Sequence, residues 1–179
     1  TQYLTTANAP VTAYPYTLQA WVKLASSSFS SDQSKMILSV AKKTDLNNVF
    51  IDWYNSVSLE TQIRAIAETG GGARQYDYGG TPDTNWHMIT AAFTDSSTCA
   101  LYLDGVLLTT ANAGSAQTPA GMTDTYIGLL IFNTSTLYGA FGGQIDEARI
   151  RNDAQTANTT TTDYNLMFSP FTFWSTTAQ

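Results

Sequence analysis

Short alternating runs of apolar and polar residues dominate the first 150 positions, and helical periodicity is almost absent there. In YTLQAWVKL (16–24), alternation places Tyr16, Leu18, Ala20 and Val22 on one face of a strand. Similar runs predict further strands over 35–43, 48–56, 56–68, 86–94, 123–132 and 138–152, with a short strand at 74–78 inside a glycine-rich loop. Glycine, proline, asparagine, aspartate and serine separate the runs, as expected of turns.

The strongest local signal is TCALYLDGVLLTT (98–110), in which Asp104-Gly105 separates two apolar runs. A type I′ turn needs positive φ at both central residues, and Asp-Gly is a preferred pair there. The sequence therefore predicts a hairpin at this point. One short helix is predicted over 161–167 in the threonine-rich segment that follows the last strand.

About ten short strands with frequent turns indicate an all-β sandwich, and 179 residues are enough for one domain with a real core. We place the sandwich at residues 1–168 and an aromatic tail at 169–179. Only 12% of residues are charged, the net charge is −6, and the longest basic run is Lys42-Lys43, so nucleic-acid binding is not expected. No apolar run approaches the ~20 residues of a membrane span.

A single cysteine, Cys99, excludes a disulfide within the chain. It lies in an apolar strand, which favours a buried, inert thiol over a nucleophile. His87 is the only histidine. It follows Trp86 at the start of a strand, and a packing or hydrogen-bonding role is favoured over that of a catalytic base.

Four segments occur in an order and spacing that resemble the laminin-G-like and concanavalin A-like lectin/glucanase jelly rolls: YTLQAWVKL, WHMITAAFT, LYLDGVLL and GGQIDEARIRN. Together they span roughly residues 16–152. The resemblance implies a jelly-roll β-sandwich of two antiparallel sheets. It does not define a function, because the same fold carries lectins, glucanases, pentraxins, adhesion modules and virion proteins.

The resemblance also implies where catalysis would lie. Glucanases of this fold carry a strand similar to E-x-D-x-E, whose two glutamates act as nucleophile and acid/base. Aligned through Asp146, this chain has Gln144 and Ala148 at those positions. Strict alternation would also place Glu147 on the opposite face from Asp146. The sequence therefore predicts no catalytic residues and no enzyme.

The same alternation predicts a structural role for this strand. Asp146 would share a face with Ala148 and Ile150, and we expect it to be at least half buried and hydrogen-bonded to backbone N–H groups or a hydroxyl, because an unpaired buried carboxylate is costly. Glu147 and Arg149 would form a surface ion pair worth about 0–1 kcal/mol.

Tyrosines and charged residues at 74–78 provide the best candidate for ligand binding. Arg74, Tyr76, Asp77 and Tyr78 lie in ARQYDYGG, where aromatic rings and polar groups would face a ligand from a loop. The alternative is that these rings cover a sheet face. In the tail, Phe171, Phe173 and Trp174 are candidates for contact with another subunit.

No cofactor is required by any motif, and a zinc site is disfavoured by one histidine and one cysteine. Calcium stays open, because it takes oxygen ligands from loops. The loop acids that would supply them are Asp32, Asp45, Asp83, Asp95 and Asp124.

These observations predict a non-catalytic binding or structural module. One hypothesis is an oligomeric surface or decoration component of a phage-like virion, since residues 1–15 lack a signal-peptide pattern and the tail is aromatic. The alternative is a carbohydrate-binding lectin module of a cell-surface or secreted protein. Expected partners are other protein subunits, including copies of this chain, or glycans; the expected location is a virion surface or the extracellular space.

Overall fold

The computed structural model describes residues 3–11, 13–26, 33–44, 46–55, 61–70, 72–80, 82–109, 113–115, 117, 119–132 and 136–168. Within these ranges the chain forms fourteen strands and one helix. The strands are β1 (Leu4–Thr6), β2 (Tyr16–Leu24), β3 (Gln33–Ala41), β4 (Asn48–Asn55), β5 (Thr61–Thr69), β6 (Gly72–Gly79), β7 (Trp86–Asp95), β8 (Thr98–Leu103), β9 (Val106–Thr109), β10 (Ala113–Gly114), β11 (Asp124–Ile127), β12 (Leu130–Phe132), β13 (Thr136–Tyr138) and β14 (Gly143–Arg151), and the helix is α1 (Ala157–Phe168).

Two antiparallel sheets pack face to face and confirm the predicted jelly-roll sandwich. One has seven strands in the order β1-β11-β3-β4-β5-β6-β10, and the other has five in the order β14-β2-β7-β8-β9. The predicted face of β2 is confirmed, since Leu18, Ala20 and Val22 are all buried in the core between the sheets. The alternate residues of β2 lie on the outer face of the five-stranded sheet, which carries the candidate site.

The hairpin predicted at Asp104-Gly105 is confirmed. Both residues have positive φ, 53° and 77°, as a type I′ turn requires. The turn packs against α1: a Cβ on Gly105 would lie 3.0 Å from the Cα of Thr161 and 3.1 Å from the Cβ of Tyr164. Thr161 Oγ1 also donates a hydrogen bond to the carbonyl of Gly105 at 2.7 Å. A side chain at position 105 would therefore be strained by the positive φ and would press against the helix.

Several predicted boundaries were wrong. The short strand predicted at 74–78 is confirmed, but it is longer than predicted and forms β6, so the surrounding residues 72–79 are not a loop. The run at 123–132 is divided into β11 and β12 at Gly128, where φ is +86°. Helix α1 begins four residues before the predicted start, and β1 was not predicted because its three residues show no apolar alternation.

A second apolar cluster lies on the outer face of the seven-stranded sheet, where β12 packs against β3. Beside it, Asp52 and Arg64 form a buried ion pair on adjacent strands, with Nε–Oδ1 at 3.0 Å and Nη2–Oδ2 at 2.5 Å. Arg64 also donates to Ser34 Oγ and lies over the ring of Tyr54. Burial disfavours the charged form of Arg64, but Asp52 outweighs this and raises the pKa of Arg64.

Cys99 is fully buried, as predicted, and burial raises the pKa of its thiol well above the usual value. Such a thiol is protonated and shielded, which fits a structural residue. Among the described residues, no helix has the length and apolar character needed to cross a membrane.

Candidate functional site

A surface groove of about 420 Å³ opens on the outer face of the five-stranded sheet. We call it the aromatic groove; it is lined by Trp21, Trp86, Asp146, Glu147, Met167 and Phe168. Strand order explains its shape, because β14 lies on one side of β2 and β7 on the other. Trp21 of β2 forms the floor, the two carboxylates of β14 form one wall, and Trp86 at the start of β7 forms the opposite wall.

Helix α1 supplies the third wall. Its sequence, ANTTTTDYNLMF, is poor in strong helix formers, so tertiary contacts must hold it. Thr156 precedes the helix and exchanges hydrogen bonds with Thr159, each backbone N–H donating to the other's hydroxyl. This arrangement caps the first turn.

The last two turns of α1 pack on Trp21. The indole lies parallel to the rings of Tyr164 and Phe168, with centroids 5.6 and 6.3 Å away, and its N–H donates to the sulfur of Met167 at 3.3 Å. Trp21 is therefore only 8% exposed. Phe168 is 60% exposed and Trp86 is 37% exposed, so these two rings present apolar surface to solvent.

A β-bulge in β14 corrects the predicted placement of the acids. Asp146 pairs with Trp21 and Arg149 with Gln19, so two residues of β14, Glu147 and Ala148, lie opposite one residue of β2. Glu147 takes up the extra position with φ of +50°. The prediction that Asp146 and Glu147 lie on opposite faces was wrong, because the inserted residue breaks the alternation and both side chains line the aromatic groove.

The predicted burial of Asp146 was also wrong, since its side chain is exposed. The bulge separates it from Ala148 and Ile150, which do pack against the core. Asp146 accepts a hydrogen bond from the backbone N–H of Glu147 at 2.8 Å, so the expected kind of partner is present without burial. This bond helps to hold the bulge.

The ion pair predicted between Glu147 and Arg149 is confirmed, with Nη2–Oε2 at 2.7 Å. Both side chains are largely exposed, so the pair contributes about 0–1 kcal/mol to stability. Its consequence for the site is geometric, because it orients the carboxylate of Glu147. The groove thus combines exposed aromatic surface with two solvent-accessible hydrogen-bond acceptors.

The structure brings Arg74 and Tyr76 together, with the guanidinium 5.9 Å from the ring centroid, but it does not place all four predicted ligand residues on one surface. Tyr76 is 1% exposed and belongs to the core, while Asp77 pairs with Arg64 on the other face of the sheet. Arg74 donates to the carbonyls of Gly114 and Ser97. Of residues 76–78, only Tyr78 is exposed. A ligand role for these residues stays a prediction that the strand geometry does not favour.

The predicted partner contacts Phe171, Phe173 and Trp174 lie outside the described residues. The aromatic tail begins directly after Phe168, the last residue of α1. Its role in contacts between subunits stays a prediction.

His87 is a hydrogen-bonding histidine, as predicted. Its Nδ1 lies 2.8 Å from Asp104 Oδ2 and its Nε2 lies 3.0 Å from Asp83 Oδ1. The hydrogen bond to Asp104 is the main cause that raises the pKa of His87 to about 9, with Asp83 adding to it and burial opposing it. Both ring nitrogens then donate in the protonated form, and the histidine joins β7 to the hairpin turn.

The acids predicted to bind calcium form no metal-ligand cluster in the described part of the chain. Within the described ranges, no three side chains of histidine, cysteine, aspartate or glutamate come together as metal ligands. Asp32 and Asp45 lie outside those ranges. Asp83, Asp95 and Asp124 each bond to nearby side chains of their own loops or of β7. A calcium site stays a prediction.

Sequence reasoning did not single out Trp21, Trp86, Met167 and Phe168 as site residues. A signal was present for Trp21, because alternation in YTLQAWVKL places it with Thr17 and Gln19 on the polar face. A tryptophan on a polar face must either be covered by another element of the fold or bind a ligand. Its neighbours could not be identified, because they depend on strand order and on the docking of α1.

Fold and groove together define a β-sandwich domain with an open aromatic and acidic surface site. The chain belongs to the concanavalin A-like lectin/glucanases superfamily, whose family profile matches residues 1–159. No curated protein sequence gives a match.

Solved structures share the fold at low sequence identity. The heptameric SAP-like pentraxin from Limulus polyphemus has a TM-score of 0.69 at 11% identity, covering 90% of this chain and 75% of that one. The CBM40 of the Ruminococcus gnavus IT-sialidase, bound to alpha2,3 sialyllactose, has a TM-score of 0.66 at 13% identity, covering 86% of this chain and 84% of that one. Domain 4 of AbnA, a GH43 extracellular arabinanase from Geobacillus stearothermophilus, in complex with arabinotriose, has a TM-score of 0.60 at 18% identity. The match covers 89% of this chain and 70% of that one.

Proposed function

We propose that this chain is a non-catalytic carbohydrate-binding module and that its ligand lies in the aromatic groove. The observation that carries the proposal is the position of the exposed rings of Trp86 and Phe168 beside the carboxylates of Asp146 and Glu147. A sugar ring presents C–H groups to an aromatic face and hydroxyl groups around its edge. Rings beside acceptors match both features.

The chemistry of the two acids supports binding over catalysis. A glycosidase general acid is a carboxyl shielded from water so that it holds its proton near neutral pH. Asp146 and Glu147 are both exposed, and Glu147 is paired with Arg149. Gln144 and Ala148 occupy the positions where the catalytic glutamates of glucanases would align, and Ala148 packs against the core.

Two of the structural neighbours support a glycan as the ligand class. The Ruminococcus gnavus CBM40 is bound to alpha2,3 sialyllactose, and domain 4 of the Geobacillus stearothermophilus arabinanase is in complex with arabinotriose. Both are less than 25% identical to this chain, so the groove itself carries the proposal for this protein.

A glycan array, run with and without calcium, tests the proposal. The Trp86→Ala variant should lose at least about tenfold in affinity for any glycan bound by the wild type, because it removes one aromatic wall. Tyr78→Ala is the matched control, since Tyr78 is similarly exposed but lies on the other sheet, and it should bind like the wild type. Absence of glycan binding in both conditions would refute the proposal. Loss of glycan binding in Tyr78→Ala alone would instead place the site at β6.

A second candidate function, assembly with other subunits, rests on a different surface. We propose that the hollow at the open edge of the sandwich contacts another copy of this chain; it is lined by Tyr3, Leu4, Ile127, Gly128, Phe141, Gly143 and Ile145. Leu4 lies on the edge strand β1 and is 68% exposed. Exposed apolar side chains on an open edge strand are a common basis for self-association.

The virion surface or an extracellular location would be the setting for such an assembly, and the virion role rests on the sequence alone. Size-exclusion chromatography with light scattering tests the assembly step. The wild type should form an oligomer that Leu4→Glu converts to monomers. A stable wild-type monomer at all concentrations would refute this second candidate.

A further inference from the structure

The lining of the aromatic groove restricts the charge of its ligand. Among the described residues, the groove is lined by aromatic rings, the Met167 thioether and two carboxylates, and by no lysine, arginine or amide. Ionised carboxylates accept hydrogen bonds and cannot donate them. The ligand groups that face this wall must therefore be donors.

Asp146 is the more available of the two acceptors. Its Oδ1 receives the backbone N–H of Glu147, and no described residue donates to its Oδ2. Glu147 is already engaged by Arg149, which compensates its charge. The uncompensated negative charge of the groove therefore lies at Asp146, opposite the ring of Trp86.

Arg151 also lies on this face, where Asp153 compensates its charge. Lys23 is the remaining cation on this face among the described residues. It pairs with Trp86 on one side and with Gln144 on the other, two residues along β2 from Trp21, and it is not among the described residues that line the groove. An acidic ligand in the groove would thus meet Asp146 in the lining, whereas Lys23 is not among the described lining residues. The net charge of −6 over the chain adds to the repulsion.

We propose that the aromatic groove selects neutral glycans, whose hydroxyl groups donate to Asp146, and discriminates against sialylated or sulfated forms of the same glycans. This inference rests on the proposed carbohydrate-binding function and names the ligand class for that site. Asp146 acts as the specificity-determining residue, because a second carboxylate or a sulfate beside it would be repelled and would bring no donor.

The test is a glycan array that presents each neutral core next to its sialylated or sulfated form, followed by calorimetry with the best neutral glycan and its sialylated counterpart. The wild type should bind the neutral form about tenfold more tightly. Asp146→Asn keeps the size of the side chain but removes its charge and adds a donor. It should weaken neutral binding and reduce the preference below about threefold.

Glu68→Gln is the control, because Glu68 lies on β5 of the other sheet and is not a candidate for ligand binding, and it should leave both affinities unchanged. Thermal melts confirm that each variant is folded, as expected for an exposed side chain at position 146. Equal or tighter binding of the sialylated forms by the wild type, or an unchanged preference in Asp146→Asn, would overturn the inference. Glycan binding that ignores charge but is lost in Trp86→Ala would overturn the inference and leave the proposed function standing; no glycan binding would overturn both.

Discussion

The ion pairs of His87 make a prediction about the pH dependence of stability. A rise in the pKa of His87 from 6.5 in the unfolded chain to about 9 in the folded chain corresponds to about 3 kcal/mol in favour of the protonated imidazole. The side chain of Asp83 is 49% exposed, so solvent screening reduces this to about 2 kcal/mol.

The sign follows from the direction of the shift. Below pH 6.5 the imidazole is protonated in both states, and the folded state gains the full stabilisation. Between pH 6.5 and about 9 the unfolded chain has lost the proton that the folded chain still holds, so stability falls as pH rises. For a chain of this length, 2 kcal/mol corresponds to about 4–8 °C in Tm.

Thermal or urea denaturation at pH 6, 7.5 and 9.5 measures the effect. His87→Gln should be about 2 kcal/mol less stable than the wild type at pH 6 and nearly equal to it at pH 9.5. Asp104→Asn suits the turn equally well, because asparagine also tolerates positive φ, and it should remove roughly half of the pH dependence. A wild-type stability that stays constant between pH 6.5 and 9 would refute the reasoning.

Two further predictions concern packing. Asp52→Ala leaves the guanidinium of Arg64 buried without its carboxylate, and it should lower the free energy of unfolding in urea by about 3–5 kcal/mol. The Asp52→Leu/Arg64→Met double variant should have a free energy of unfolding within about 1 kcal/mol of the wild type or above it. Additive losses in the double variant would contradict this. Gly105→Ala should cost about 2–3 kcal/mol, because it combines positive φ with contact against α1. Gly70→Ala, with φ of +58° but open space, should cost only about 1 kcal/mol, and equal losses at the two glycines would exclude a role for the helix contact.

Local sequence patterns predicted much of the fold because their physical causes are local. The alternation in β2 and the Asp-Gly turn each depend on residues within one strand or one hairpin, and both were confirmed. Strand β1 was beyond this reasoning, because three exposed residues join the sheet only through pairing with β11. Helix α1 was underestimated for a similar reason, since contacts with Trp21 and Gly105 stabilise a segment of weak helix propensity.

The candidate site was harder to predict than the fold. The bulge at Glu147 has no clear local sequence signal, because glutamate is not a residue that favours positive φ. One inserted residue moved Asp146 from the predicted core face to the outer face beside Glu147, and so changed the interpretation of the whole segment. The prediction that Gln144 and Ala148 replace catalytic glutamates came from an alignment through Asp146. After the bulge, Ala148 packs against the core and does not share a face with Asp146.

The bulge has a further consequence for the edge of the sandwich. Strand β14 is the outermost strand of the five-stranded sheet, and an outermost strand exposes backbone groups that can recruit another chain. The left-handed backbone of Glu147 interrupts this row, and the charged side chains of Glu147, Arg149 and Arg151 flank the interruption. Copies of the protein that associate would therefore not do so by extending the five-stranded sheet beyond β14.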